Sequence, residues 1–184
     1  GEGTVLYNSA VGFENGKITY VGDSLNLPAF DTVVDATDKH IYPGFIATNS
    51  TLGLVEVDAV RATSDVDELG DFLPHVRTAI AYDAESKIVE SMRPNGVLSA
   101  QVTPRGGRIS GSSSVMQMDA WNWEDASYKT DIGIHINWPS MRYSERAKKR
   151  RKENIGRLEM IFQKAKAYSK STDPDIVNLK YEAM

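Results

Sequence analysis

The sequence predicts an α/β fold: a β-rich N-terminal segment, then a region where strands and helices alternate. Three observations carry this. The first 45 residues are short apolar alternations broken by turn signals. From residue 75 onward, brief helical runs interleave with the strand-like runs VLSAQV and IGIHINW. One long stretch, residues 144–170, repeats its apolar side chains at helical spacing.

In chain order, Thr4–Leu6 reads as a short strand. Val11 and Phe13 alternate ahead of Glu14-Asn15-Gly16-Lys17, and Asn-Gly is a strong hairpin signal because both turn positions want positive φ. Lys17–Val21 is the returning strand, closed by Gly22-Asp23. Thr32–Asp35 reads as another strand, Ala36–His40 as a turn, and Ile41–Ile46 as an apolar segment entered through Pro43-Gly44. Asp65–Asp71 is an acidic helix start or loop before Pro74. His75–Tyr82 and Ser86–Met92 suit short helices. Pro94-Asn95-Gly96 turns into the strand Val97–Val102, and Thr103–Ser114 (TPRGGRISGSSS) reads as a Gly/Ser loop. Val115–Met118 and Ile132–Trp138 alternate like strands, and Pro139 ends the second. Trp121 and Trp123 are expected to pack in the core or as a lid. In 144–170, Leu158, Ile161, Ala165 and Tyr168 form one apolar stripe, Ser144 caps the start and Asp173-Pro174 stops the chain beyond the end. Gly156 weakens that helix by about 1 kcal/mol relative to Ala.

Composition narrows the chemistry. The 184 residues amount to about one domain. With 41% hydrophobic and 25% charged residues the chain is an ordinary globular one. It contains no cysteine, which removes disulfides, thiolate metal sites and cysteine nucleophiles. No apolar run is long enough for a transmembrane helix and no signal peptide is visible, so a soluble protein is expected, in cytoplasm or periplasm alike. The chain opens on Gly1, so the natural start is expected upstream or to have been cut away. The net charge of −4 hides an asymmetry: residues 1–141 carry −10 and residues 142–170 carry +8. The run Lys148–Lys152 could neutralise phosphates, but no aromatics interleave it and a solvated helix face is the commoner meaning. Nucleic acid is therefore not the expected partner.

Two segments are candidate ligand contacts. Arg105, Gly106, Gly107 and Arg108 resemble an anion cradle, with backbone N–H groups and two guanidinium groups available to a carboxylate or phosphate. The spacing matches neither dinucleotide nor P-loop fingerprints, and a plain chain reversal competes. Ser112–Ser114 lack the elbow context of a serine nucleophile. In IGIHINW, strand alternation puts Gly133, His135 and Asn137 on one polar face and Ile134, Ile136 and Trp138 on the other. His40, His75 and His135 are scattered, so only folding could gather them. Asp65, Asp67, Glu68 and Asp71 lack calcium-loop spacing.

Gly16–Gly22 (GKITYVG) followed by Val34–Ile46 (VDATDKHIYPGFI) resembles the N-terminus of the amidohydrolase superfamily, nearest the group related to imidazolonepropionase. Gly96–Asp119 (GVLSAQVTPRGGRISGSSSVMQMD), Gly133–Met141 (GIHINWPSM) and Asn178–Met184 (NLKYEAM) extend the resemblance more loosely. It implies an N-terminal β-sandwich segment, residues 1–45, leading into part of a TIM-like (β/α)8 barrel, residues 46–184, with the basic helix near 144–170. It also implies hydrolysis of C–N bonds, amide or cyclic amide, in a small-molecule substrate.

The family's first barrel strand continues PGFID.H.H, and its two histidines bind a divalent metal that activates water. Here Ala47, Asn49 and Thr51 hold those three positions. No metal ligand is carried over: no cofactor is expected in this chain, and zinc or iron only in the full family fold. Because a (β/α)8 barrel takes about 250 residues, the chain is expected to be a fragment or a member with a degenerate site, inactive alone. The alternative is a non-catalytic binding or scaffold module. Association with a copy of itself or a related chain is compatible with both.

Overall fold

Asn15 and Gly16 adopt φ of 50° and 72°, the twist that joins antiparallel strands through a two-residue loop. They link β1 (Ser9–Glu14) to β2 (Lys17–Asp23). The structure, a computed structural model, describes residues 3–171 and 177–184. The chain divides into two units, Gly1–Tyr42 and Pro43–Met184. The strands expected at Thr4–Leu6 and Thr32–Asp35 do not form. Neither segment pairs with another strand among the described residues, and Val5, Leu6, Val33 and Val34 stand exposed. Apolar alternation without a partner strand does not hold a strand.

The second unit is mixed α/β. Its sheet contains β3 (Phe45–Ser50), β4 (Val97–Val102), β5 (Ile109–Gln117) and β6 (Ser127–Ile136), in that spatial order. β3 and β4 are parallel, and the other two pairings are antiparallel. Consequently β3, β4 and β6 point the same way and end at one edge. The parallel pair needs a long crossover, which residues 51–96 supply with α1 (Thr78–Ala81) and α2 (Lys87–Met92). Ser86 caps α2, accepting from Val89 N at 3.3 Å. Among the described residues the sheet is open, with no closed barrel.

The expected loop Thr103–Ser114 is instead strand from Ile109 onward. Ser110, Ser112, Ser113 and Ser114 are buried in it. A polar run can be buried when each hydroxyl finds a partner. Ser110 Oγ donates to Gly106 O at 2.6 Å, Ser112 Oγ to Asp131 Oδ1 at 2.6 Å, and Ser114 Oγ accepts from Asp131 N at 3.2 Å.

The core joins Leu54, Ala79, Tyr82, Val89, Ala100, Val102, Met116, Met118 and Ala126. Burial pushes the Tyr82 phenol up to about 12, so it stays protonated and donates to Gln117 O at 3.2 Å. Thr78 Oγ1 reaches the carbonyls of Val102 (3.1 Å) and Ser112 (3.0 Å), tying α1 to two strands. A short helix, α3 (Trp123–Ala126), precedes β6. Trp123 packs against the core, but Trp121 is 88% exposed, against the expectation of packing.

Beyond β6, α4 spans Glu145–Tyr168, and Ser144 Oγ accepts from Ala147 N at 3.2 Å. Leu158 is buried, while Ile161, Ala165 and Tyr168 are half-buried on the same face. The helix continues unbroken through Gly156. The expected stop at Asp173-Pro174 lies outside the described residues. A last short helix, α5 (Leu179–Glu182), sets Tyr181 against Phe72 and Tyr168, at centroid distances of 5.5 and 5.8 Å. No helix among the described residues is long and apolar enough to cross a membrane.

Candidate functional site

The carboxyl ends of parallel strands are where α/β folds gather polar groups for ligands. In this chain that edge begins at a bulge. Ala47 pairs with Ala100 and Ser50 with Val102, so β3 carries one extra residue over that stretch. Asn49 lies in it at φ 51°. Asparagine tolerates this left-handed conformation better than most residues, and bulges re-aim side chains. Asn49 Oδ1 accepts from Arg105 Nη1 at 2.8 Å and from Thr103 Oγ1 at 3.1 Å. Arg105 Nη2 donates to the Asn49 carbonyl at 2.7 Å. Gln101, one turn of the pleat back on β4, bridges Asn49 N (3.4 Å) and Ser113 Oγ (3.3 Å).

His135 sits opposite Gly111 near the end of β6. Its pKa lies below the usual 6.5, first because burial disfavours the imidazolium and then because Arg105 adds a like charge. Arg105 and His135 thus share this end of the sheet, far apart as they are in sequence.

Asn137 follows β6. Its side-chain NH2 donates to Gly106 O (2.9 Å), Gly107 O (2.9 Å) and Ser110 Oγ (3.0 Å), and its backbone N–H donates to Arg108 O at 3.0 Å. It therefore holds the two-glycine turn closed. The glycines themselves face residues 67–71. A Cβ on Gly106 would stand 2.6 Å from Asp67 Cβ, and one on Gly107 2.8 Å from Gly70 O. Arg108 turns away to Asp71 Oδ2 (3.3 Å) and Asn154 Oδ1 (3.2 Å), linking the turn to α4. The structure thus brings Arg105, Gly106, Gly107, His135 and Asn137 to one edge and directs Arg108 elsewhere. Asn49, Gln101 and Thr103 join them without having been singled out as binding groups. The sequence offered a partial signal, since Asn49 holds a position where the resembled family has a metal-binding histidine and Thr103 directly follows the strand Val97–Val102.

A second polar cluster lies on β6. Asp131 sits in an irregular stretch at φ 52°. Arg77 Nη2 meets its Oδ2 at 2.6 Å, and Ser112 Oγ donates to its Oδ1. The Arg77 hydrogen bond is the main cause that holds the Asp131 carboxyl below 3.8. The charges here are mutually satisfied, so the cluster fastens β5 and β6 to the strand–helix crossover.

The donor set does not fit the divalent metal that the resemblance brings to mind. Asn49 Oδ1 already accepts two hydrogen bonds, one from a permanent cation that would stand beside any metal ion. Among the described residues no group of three or more His, Cys, Asp or Glu side chains is gathered to hold a metal.

No protein-family model matches the chain. Over 45 residues it is 40% identical to an imidazolonepropionase of Nocardia farcinica (strain IFM 10152), covering 24% of this chain and 12% of that protein. Its structure is similar to the crystal structure of an amidohydrolase from Thermotoga maritima MSB8, with a TM-score of 0.78 at 25% identity. That match covers 94% of this chain and 49% of the other, so the chain spans about half the solved amidohydrolase's length. Sequence and structure together make the chain a relative of the amidohydrolase superfamily.

Proposed function

We propose that this chain is an amidohydrolase-like protein. In this reading its first unit corresponds to the β-sandwich segment and its second to the opening part of a (β/α)8 barrel. The edge at Asn49, Arg105 and His135 binds a small molecule carrying an amide or cyclic amide, and the described residues do not hydrolyse it through a metal-bound water. Likeness to an imidazolonepropionase and to a Thermotoga amidohydrolase supports the C–N ligand class. The observation that carries the rest is the Asn49–Arg105 pair: an arginine occupies the only side-chain oxygen at the first expected ligand position.

The test is direct. The full 184-residue chain is purified and its metal content measured, and an amide panel is offered with and without added zinc or iron. Binding without turnover, unchanged by metal, is expected. Stoichiometric metal together with turnover that a chelator abolishes would overturn the reading.

A further inference from the structure

Six arginines precede α4 in the second unit, and Arg142, just ahead of it, is exposed. Arg61, Arg77, Arg93 and Arg108 each form an ion pair, with Asp67, Asp131, Asp119 and Asp71. Arg105 forms none among the described residues, although it is half-buried. It gives one N–H to Asn49 Oδ1 and one to the Asn49 carbonyl. A guanidinium has five N–H donors in a fixed fork, so three remain. A partly desolvated charge without a counterion is unfavourable until one arrives.

The surroundings do not supply that counterion. Asp67, beside Gly106, already serves Arg61, and Asp71 serves Arg108. Asn49, which holds the guanidinium, and Thr103, which shares the Asn49 oxygen, are neutral. His135 is held toward its neutral form by burial and by Arg105 itself. One uncompensated planar cation therefore stands beside neutral hydrogen-bonding groups at the carboxyl ends of the strands.

We propose that Arg105 is the recognition group of this edge, that it takes the carboxylate of a small monoanionic ligand, and that Asn49 positions its guanidinium. The inference rests on the ligand-binding reading above and adds the charged group of the ligand. The free side of the fork can meet two carboxylate oxygens at once, a geometry that lysine lacks. The single positive charge matches a monoanion.

The experiment titrates the full chain with acetate, N-acetylglycine, N-acetylglycinamide and inorganic phosphate by calorimetry. N-acetylglycine is expected to bind at least about tenfold more tightly than its amide, the scale of one charge-assisted hydrogen bond. R105Q is expected to abolish that preference. N49D gives Arg105 an internal carboxylate while tolerating positive φ, so it should weaken acid binding about tenfold with an unchanged melting transition. Equal affinity for acid and amide overturns this proposal while leaving the amide-ligand reading in place. Acetate binding through Arg105 without binding of either amide-bearing probe upholds it and removes that reading. Tighter binding of phosphate than of the acids, persistence of the preference in R105Q, or no binding by any of these anions also overturns it.

Discussion

At the scale of single residues, neighbours decide what a charge does. Asp131 and Arg105 are both ionic groups beside the sheet, yet one is satisfied and the other is not. Asp131 allows a clean test of the satisfied kind. Its carboxyl titrates below 3.8, chiefly because of the Arg77 hydrogen bond. A folded-state value below the unfolded one means that the unfolded chain binds more protons as pH falls. The stabilisation is thus fully present above the unfolded value and is lost as pH drops through the folded one. Both partners are more than a third exposed, at 42% and 37%, so the pair contributes about 0.2–1 kcal/mol. Asn accepts the same positive φ and removes only the charge. Asp131→Asn should therefore lower stability by that amount at pH 7 in urea unfolding, and the difference should shrink below pH 3.8. An identical difference at both ends of the range would dissociate the ion pair from stability.

At the scale of elements, legibility followed local rules. The Asn15-Gly16 hairpin, the Ser86 and Ser144 caps and the stripe through Leu158, Ile161, Ala165 and Tyr168 were all readable, because turn chemistry, capping and helical period act within a few residues. Ser110–Ser114 were not readable as strand. Ser112 and Ser113 find their hydroxyl partners, Asp131 and the Gly133 carbonyl, on β6, which the chain brings alongside only on folding. The site was half legible for the same reason. Arg105, His135 and Asn137 were visible as polar residues, but the bulge that aims Asn49 at Arg105 depends on pairing with β4. The Gly106-Gly107 turn resembles an anion cradle in sequence, and in the structure both glycines approach residues 67–71 closely. Gly107→Ala would bring a Cβ to 2.8 Å from the Gly70 carbonyl at a φ of +56°. A left-handed non-glycine residue alone costs about 1–2 kcal/mol, so the variant should lose about 2 kcal/mol or more in denaturant unfolding. Gly156→Ala is the control, because nothing lies within 4 Å of its Cβ position on α4. It should gain about 0.5–1 kcal/mol from helix propensity. Equal effects of the two substitutions would mean that the turn is not tightly packed.

At the scale of the whole molecule, the open sheet of the second unit governs behaviour in solution. β3 and β6 are its outer strands, and among the described residues each pairs on one side only. Beside a bulge on β3 and the charges of Lys129 and Asp131 on β6, both strands expose large apolar side chains. Phe45 and Ile46 on β3 are 64% and 62% exposed, and β6 exposes Tyr128, Ile132 and Ile136, with Trp138 just beyond it. Natural edge strands usually carry charges, prolines or covers that prevent pairing with another chain. Alternation in IGIHINW puts Ile134, Ile136 and Trp138 on one face, and only Ile134 of the three is half-buried. Exposed apolar side chains on two open edges favour association. The chain is therefore expected to sediment as a concentration-dependent mixture rather than as a single monomer. Ile46→Lys and Ile132→Lys place a charge on each edge without touching the buried core, so each should shift the distribution toward monomer, and together they should shift it further. Sedimentation velocity across a hundredfold concentration range reads this out. A parent chain that stays monomeric throughout would show that these edges do not seek a partner strand, whatever their exposure.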